Sequence, residues 1–300
     1  MFEKRLVSLD QNGSNYEKSD QRYIYIAKAS GERVAFDINK LEQSLFRSGA
    51  TSEQVEIVLQ KVQDILKEGM TTRDIYRVAF KWLKKMAKSV SSRYNLKRAV
   101  MALGPTGFPF EKLTAAILES RGYSTQTGVI VPGHCVKHEI DVIAMKAEHH
   151  VMLECKFHNR QGFVSDVKIP LYIQSRFLDV EKRWRDSGCH GPQFHQGWIV
   201  TNGRFSSDAI QYGICMEMQL IGWDFPKGKG FKDLIDQAGL YPVTCLVTLT
   251  ERDKKFLLAN DIILCRSLLQ RTEILDKLGL SAAKVNSVIN ECRTLCEQSK

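Results

Sequence analysis

The cluster Gly104-Pro105-Thr106-Gly107 constrains this 300-residue chain more than any other feature. Two glycines and a proline in four residues suit neither a helix interior nor a strand, so the chain must turn there. The apolar periodicity also changes across the break. Ahead of it, Tyr23 to Asp37 reads as two short alternating segments around Ser30-Gly31, a β-hairpin. Helical spacing follows: Asp37 can cap a helix carrying Leu41, Leu45 and Phe46, and Ser52 one carrying Val55, Val58, Leu59, Val62 and Leu66 that stops at Gly69. Thr71 with Asp74 has capping-box spacing and opens a helix with Ile75, Val78, Ala79, Trp82 and Leu83. A fourth helix is predicted from Ser91 to Leu103.

Beyond the break, a helix carrying Phe110, Leu113, Ile117 and Leu118 stops at Gly122, and strand-like segments follow near 123–131, 138–145 and 150–157. A long helix near 165–186 leads to a strand at Trp198-Ile199-Val200, a helix after Ser206 and a strand around Gln219-Leu220-Ile221. This order predicts an α+β or α/β architecture with a mixed sheet flanked by helices. From Leu240 the pattern is helical again. The expected organisation is a mobile leader over 1–22, a mostly helical domain with a β-hairpin over 23–104, a mixed-sheet domain over 105–239 and a helical segment over 240–300.

Charge points to the class of partner. Lys and Arg number 43 against 34 Asp and Glu, a net +9, which favours polyanions because phosphate binding releases counterions. The eight cysteines include no C-x-x-C pair, which argues against a zinc ribbon and for free thiols in a reducing compartment. The first residues lack the apolar stretch of a signal peptide, and no run approaches the ~18 apolar residues of a membrane span. The expectation is a soluble cytoplasmic protein with no membrane partner.

The most chemically suggestive stretch is His138-Glu139-Ile140-Asp141-Val142-Ile143-Ala144, followed after a polar turn by Val151-Met152-Leu153-Glu154-Cys155-Lys156-Phe157. As two arms of a hairpin, these place Glu154 and Lys156 on one face by the two-residue period, with Asp141 on the adjacent strand. Phosphodiester hydrolysis needs hard oxygen ligands for a divalent ion and a cation near the attacking water. Asp141 and Glu154 can hold Mg²⁺ or Mn²⁺, and Lys156 can orient the water and offset developing charge. Taken alone, E-x-K also reads as an exposed ion pair on the wet face of a half-buried strand. Gln174, placed on an inward stripe of the long helix with Val167, Leu171 and Phe177 or Leu178, reads equally as a site residue or as a buried amide. His149 and His150 read as turn residues, and His138 as a neighbour of the phosphate or a structural histidine.

The D-x12-E-x-K spacing, preceded by F-P-F-E-K-L-T-A-A-I-L-E-S-R-G-Y and followed by I-V-T-N-G-R-F-S-S-D-A-I and Q-L-I-G-W-D, resembles the PD-(D/E)xK nucleases, in particular the Mrr-like restriction endonucleases. The resemblance covers roughly residues 108–235. It implies DNA cleavage and brings Glu111, near the start of the first helix, into the site. One departure is that many members carry Gln where Glu154 stands.

Residues 24–104 resemble the ATP-cone, a nucleotide-sensing domain, through I-x-K-x-x-G-x-x-V-x-F-D-x-x-K-L, G-M-T-T-R-D-I-Y and Y-N-L-K-R-A-V. That resemblance implies binding of ATP or dATP, with Lys28 and Lys40 at positions that touch phosphates and Thr72 near the nucleotide. Solvated surface lysines would look the same in sequence. No G-x-x-x-x-G-K-[ST] sequence is present, so sensing rather than hydrolysis is implied. Lys81, Lys84, Lys85 and Lys88 form a further basic face. The carboxyl-terminal run Ile274 to Ile289 reads helix, glycine turn, helix, either a packing or self-association element or a helix-hairpin-helix gripping DNA phosphates. Together these readings predict a nucleotide-regulated, metal-dependent DNA endonuclease that self-associates through the cone or the last helices. The alternative is a non-catalytic, nucleotide-responsive DNA-binding regulator.

Overall fold

The computed structural model describes residues 24–28, 31–147, 149–186 and 194–297, without the side chains of 194 and 195. The leader expected over 1–22 lies outside the described residues. Strands β1 (Tyr25–Ala27) and β2 (Arg33–Ala35) pair antiparallel with Ile26 opposite Val34, and Gly31 takes the left-handed φ of +84° where the chain returns. Helices α1 (Ile38–Arg47), α2 (Ser52–Gln63), α3 (Thr72–Met86), α4 (Lys88–Tyr94) and α5 (Leu96–Met101) follow. Asp37 caps α1 by accepting from the Asn39 amide, and Thr71 with Asp74 forms the capping box of α3. The cap of α2 is Thr51 rather than Ser52, because only Thr51 can share reciprocal bonds with Gln54.

Leu41, Leu45, Val55, Val58, Ala79 and Leu83 close a core under this hairpin. The single helix expected from Ser91 to Leu103 is two, broken at Asn95, whose side chain accepts from the Tyr76 hydroxyl at 2.6 Å. The break has a packing consequence. Val90, before it, lies in the first core, whereas Leu96, Ala99, Val100 and Leu103 lie in the next one, ahead of Gly104.

That second core forms on one face of a five-stranded sheet. Helix α6 (Phe108–Glu119) leads into β3 (Ser124–Pro132), β4 (Lys137–Lys146) and β5 (His149–Lys156); β6 (Val164–Ser165) and α7 (Lys168–Asp186) follow, then β7 (Phe194–Thr201), β8 (Arg204–Phe205), α8 (Ser207–Cys215), β9 (Gln219–Ile221) and α9 (Phe231–Ala238). The strand order is β3-β4-β5-β7-β9, antiparallel through β5 and parallel beyond it, with β6 and β8 as a separate short pair. His149 and His150 belong to β5, opposite Lys146 and Met145, and are not turn residues. Ala147, at φ +50°, makes the tight turn that lets the strand begin so early.

The sheet is covered on both faces. Val142, Val151, Leu153 and Cys155 pack toward α6 and α9, and Ile143, Met152, Ile199 and Leu220 pack with Ile173, Phe177 and Val180 of α7. The buried stripe of α7 is Pro170, Ile173, Gln174, Phe177 and Val180; of the residues expected there from the sequence, Gln174 and Phe177 are buried, whereas Leu171 and the alternative Leu178 face outward at 43% and 45% exposure.

Helices α10 (Glu251–Ala259), α11 (Cys265–Gln270) and α12 (Ala282–Glu297), with 3₁₀ turns at Val243–Cys245 and Thr272–Leu278, complete the second core through Leu246, Leu257, Leu268, Leu275, Val288 and Leu295. Gly279 makes the expected turn at φ +63° before α12. Glu291 of α12 is 5% exposed and accepts the Val247 and Thr248 amides at 2.7 and 3.2 Å and the Ser92 hydroxyl at 2.6 Å, tying three segments together. Replacing it by Ala leaves three donors without their acceptor and should cost about 3 kcal/mol, read as a lower urea midpoint at unchanged slope. A midpoint within error of wild type would remove Glu291 from that role. The seven described cysteines carry free thiols, and among the described residues no helix is long and apolar enough to cross a membrane.

Candidate active site

The candidate site forms where β4 and β5 part. Their ladder runs to Val142 opposite Leu153, and continuing that register by one residue sets Asp141 opposite Glu154. Asp141 Oδ2 accepts the Cys155 amide at 2.7 Å, so its carboxylate takes a bond that the ladder would otherwise use. Thr201 Oγ1 donates to the Lys156 carbonyl at 2.7 Å, fixing the end of β5 against β7.

Glu154 is almost completely buried and lies between two cations. Lys156 Nζ donates to its Oε1 at 2.5 Å, and Arg176 Nη1 of α7 donates to its Oε2 at 2.5 Å. The Arg176 guanidinium also donates to the Glu139 carbonyl, spanning from α7 to β4. Sequence reasoning missed Arg176. The available signal was its place on α7, between the inward positions Ile173 and Phe177, from which a long side chain can reach a neighbouring strand.

Three further predicted residues fall as follows. Gln174 is buried on the same helix face. Glu111 sits in the first turn of α6, close enough for its charge to be felt with those of Asp141, Glu139 and Glu154. His138 lies beside Asp179 rather than among these acids, with Nε2 to Oδ2 at 2.7 Å. Asp179 also accepts the Cys135 and Val136 amides, a latch that holds the β3–β4 turn to α7; the His138 bond first, and these amides after it, keep its carboxyl well below the usual range.

The acids repel one another. Burial first, and the neighbouring Glu154 charge second, push Asp141 up to about 6, against the lowering pull of the Cys155 amide, Lys156 and Arg176. Burial, then Asp141, Glu139 and Glu154, raise Glu111 to about 7. Because the unfolded chain releases these protons near pH ~4, the folded state holds more protons between there and neutrality. In EDTA, stability should therefore rise as pH falls from 8 to 5. Asp141→Asn should be the more stable protein at pH 8, with the difference in melting temperature shrinking toward pH 5; a difference independent of pH would contradict the shift.

Among the described residues, no group of three or more His, Cys, Asp and Glu side chains is already arranged around a metal position. The donor chemistry nevertheless fits a hard divalent ion: Asp141 and Glu111 are oxygen donors whose carboxyls are pushed up first by burial and then by neighbouring carboxylates, a cost that a cation relieves. Glu154 brings a third carboxylate, whose two oxygens are ion-paired with Lys156 and Arg176.

The residues expected to read a nucleotide are partly brought together. Lys28 and Thr72 line one cavity of about 700 Å³, with Arg73 and Arg98 beside them. The cavity forms because Ala27 of β1 bridges to Thr71, setting the hairpin against the start of α3. Lys40 does not line it; it is exposed and pairs with Asp37 at 3.4 Å.

Fold and site together define an α+β protein in which a mixed five-stranded sheet presents a buried glutamate, Glu154, paired with Lys156 and Arg176. The chain belongs to the AF1548-like family: it is 40% identical over 183 residues to an uncharacterised protein of Archaeoglobus fulgidus, covering 60% of this chain and 97% of that one. The family model described as AF1548-like, C-terminal matches residues 241–296, the last helical segment. A solved structure, the crystal structure of a protein of unknown function, AF1548, is 36% identical with a TM-score of 0.51, covering 64% of this chain and 99% of that chain.

Proposed function

We propose that the protein is a nucleotide-regulated, divalent-metal-dependent endonuclease that hydrolyses phosphodiester bonds in DNA. The observation that carries this reading is the placing of Asp141 opposite Glu154 where β4 and β5 part, with Glu154 paired to Lys156 and Arg176. Surface ion pairs do not normally enclose a buried carboxylate beside a second carboxylate whose pKa is raised by burial, whereas phosphoryl-transfer sites need that concentration of opposite charges. In this reading Asp141 and Glu154 would hold Mg²⁺ or Mn²⁺, which would supply charge stabilisation at the phosphate. Lys156 positions the attacking water and balances charge developing on the phosphate oxygens. Glu111, titrating near neutrality, is suited to accept a proton, and Arg176 orients Glu154. Gln174 is buried on the inward face of the same helix. The net charge of +9 suits a DNA substrate.

ATP or dATP is the proposed effector, bound beside Lys28 and Thr72, with self-association through the amino-terminal module or the last helices as its mode of action. The proposed compartment is the cytoplasm. The ATP-cone and Mrr-like relationships belong to this proposal.

A second reading has its own support. Both oxygens of Glu154 are already paired, which suits a non-catalytic, nucleotide-responsive DNA-binding regulator that keeps a nuclease-like fold. A plasmid-nicking assay run beside a gel shift separates the two. The nuclease reading expects nicks with Mg²⁺ or Mn²⁺ that vanish in EDTA. Retarded DNA with no nick in any metal or nucleotide condition selects the regulator.

A further inference from the structure

The cavity beside Lys28 has a wall from outside the amino-terminal module. Asn159, Arg160 and Gln161 line it, and they lie on the loop that leaves β5 directly after Lys156. Its cationic side chains are thus Lys28, Arg73 and Arg98 from one side and Arg160 from the other, and no acidic side chain is among its lining residues. Four cationic side chains and no acidic one around about 700 Å³ of open space favour an anion there, and that volume suits a nucleotide-sized ligand. Lys28 has Glu32 at 3.0 Å, and the Arg98 guanidinium rests 4.1 Å from the centroid of the Tyr76 ring, so both are held in place at the cavity edge.

The loop is anchored at its root. Asn202 Oδ1 accepts the His158 amide at 2.8 Å while Asn202 Nδ2 donates to the His158 carbonyl at 2.6 Å, and the His158 ring stacks on Phe163 with centroids 4.2 Å apart. A force applied at residues 159–161 therefore meets a short closed strap whose other end is the carbonyl of Lys156, held by Thr201.

We infer that this strap reads the effector: a small molecule bearing a chain of phosphates is held jointly by Lys28, Arg73 and Arg98 and by Arg160, and so couples the amino-terminal module to the main chain that carries Lys156. The coupling to cutting rests on the nuclease reading; the ligand and its grip by Arg160 do not. The contact is reciprocal, since a ligand that favours one position of the loop must bind more tightly when the loop is in that position. Arg160 is a positioning residue and touches no reacting atom.

The test uses the full-length protein. ATP and inorganic triphosphate are titrated in equilibrium binding, and hydrogen exchange of residues 157–163 is followed with and without each. Wild type should bind ATP and slow exchange in the loop; binding of inorganic triphosphate with the same protection would place recognition in the phosphates, and its failure to bind would assign the nucleoside a share. Arg160→Ala should weaken ATP binding about tenfold and lose the protection, with Arg160→Lys between the two. Equal ATP affinity in wild type and Arg160→Ala, or loop exchange unmoved by bound ATP, overturns the inference. So does protection by a short DNA duplex alone when neither phosphate compound binds. If ATP protects the loop through Arg160 but no DNA is cut in any condition, the strap stands and the nuclease reading falls.

Discussion

Replacing Lys156 by Ala should lower the rate of DNA cleavage by about 10³-fold while leaving the fold intact. The ammonium has two tasks. It neutralises Glu154 from 2.5 Å, and it is the one cation of the pair with substantial solvent access, its side chain being 30% exposed against 11% for Arg176. Only Lys156 can therefore meet an incoming phosphate without first leaving a buried position. Stability should change little, because Arg176 still pairs with Glu154 and the main chain at 156 keeps its bond from Thr201. Single-turnover cleavage under saturating metal is the measurement. Arg176→Ala is expected to act differently: it removes a largely buried side chain that donates both to Glu154 Oε2 and to the Glu139 carbonyl, tying α7 to β4, and so lowers stability as well as rate. Equal losses of rate in both variants with no change in melting would contradict this division of labour.

Phe110→Ala should destabilise the protein by about 3–5 kcal/mol, among the largest costs available in this fold. The ring is fully buried and packs between Phe157, at a centroid distance of 5.6 Å, and Phe231, at 4.8 Å. Phe157 follows Lys156 directly and Glu111 follows Phe110, so the cavity opens beneath both sides of the candidate site. Denaturant unfolding measures the stability. Cleavage by the remaining folded protein should also fall, because Glu111 and Lys156 lose their common support. A loss under 1.5 kcal/mol would mean that neighbouring rings collapse into the space.

How much of this was legible in the sequence depends on how local each signal is. Asp141, Glu154 and Lys156 could be placed because a strand alternates with period two and a hairpin brings its arms together; register alone did the work. Arg176 was not legible for the opposite reason. It belongs to a helix whose apolar stripe admits more than one phase: the sequence left Phe177 and Leu178 as alternatives and took Leu171 as inward, so the helix face that carries Arg176 to its contact stayed undecided. The phase was settled only by the sheet, which accepts Ile173, Phe177 and Val180. Thr51 and Ser52 present the same limit on a smaller scale: two adjacent hydroxyls could cap α2, and only the bond returned by Gln54 distinguishes them.

The break at Gly104 was visible, but its relation to packing was not. Asn95 ends one helix and starts another because Tyr76, nineteen positions away, takes its side chain, and no local pattern reports so distant a partner. Arg160 was equally silent. An exposed loop residue has no periodicity, and its place in the cavity follows from how the amino-terminal hairpin meets the loop after β5. The carboxyl-terminal helices read correctly as helices, whereas their union with the sheet's core through Leu246, Leu275 and Val288 required tertiary contacts to be known.

The most direct test compares wild type with Asp141→Ala on supercoiled plasmid, in Mn²⁺ and in EDTA, with DNA affinity measured on the same samples. The account predicts metal-dependent cutting by wild type, none by the variant, and similar DNA affinity for both. Cutting by Asp141→Ala at the wild-type rate would contradict it.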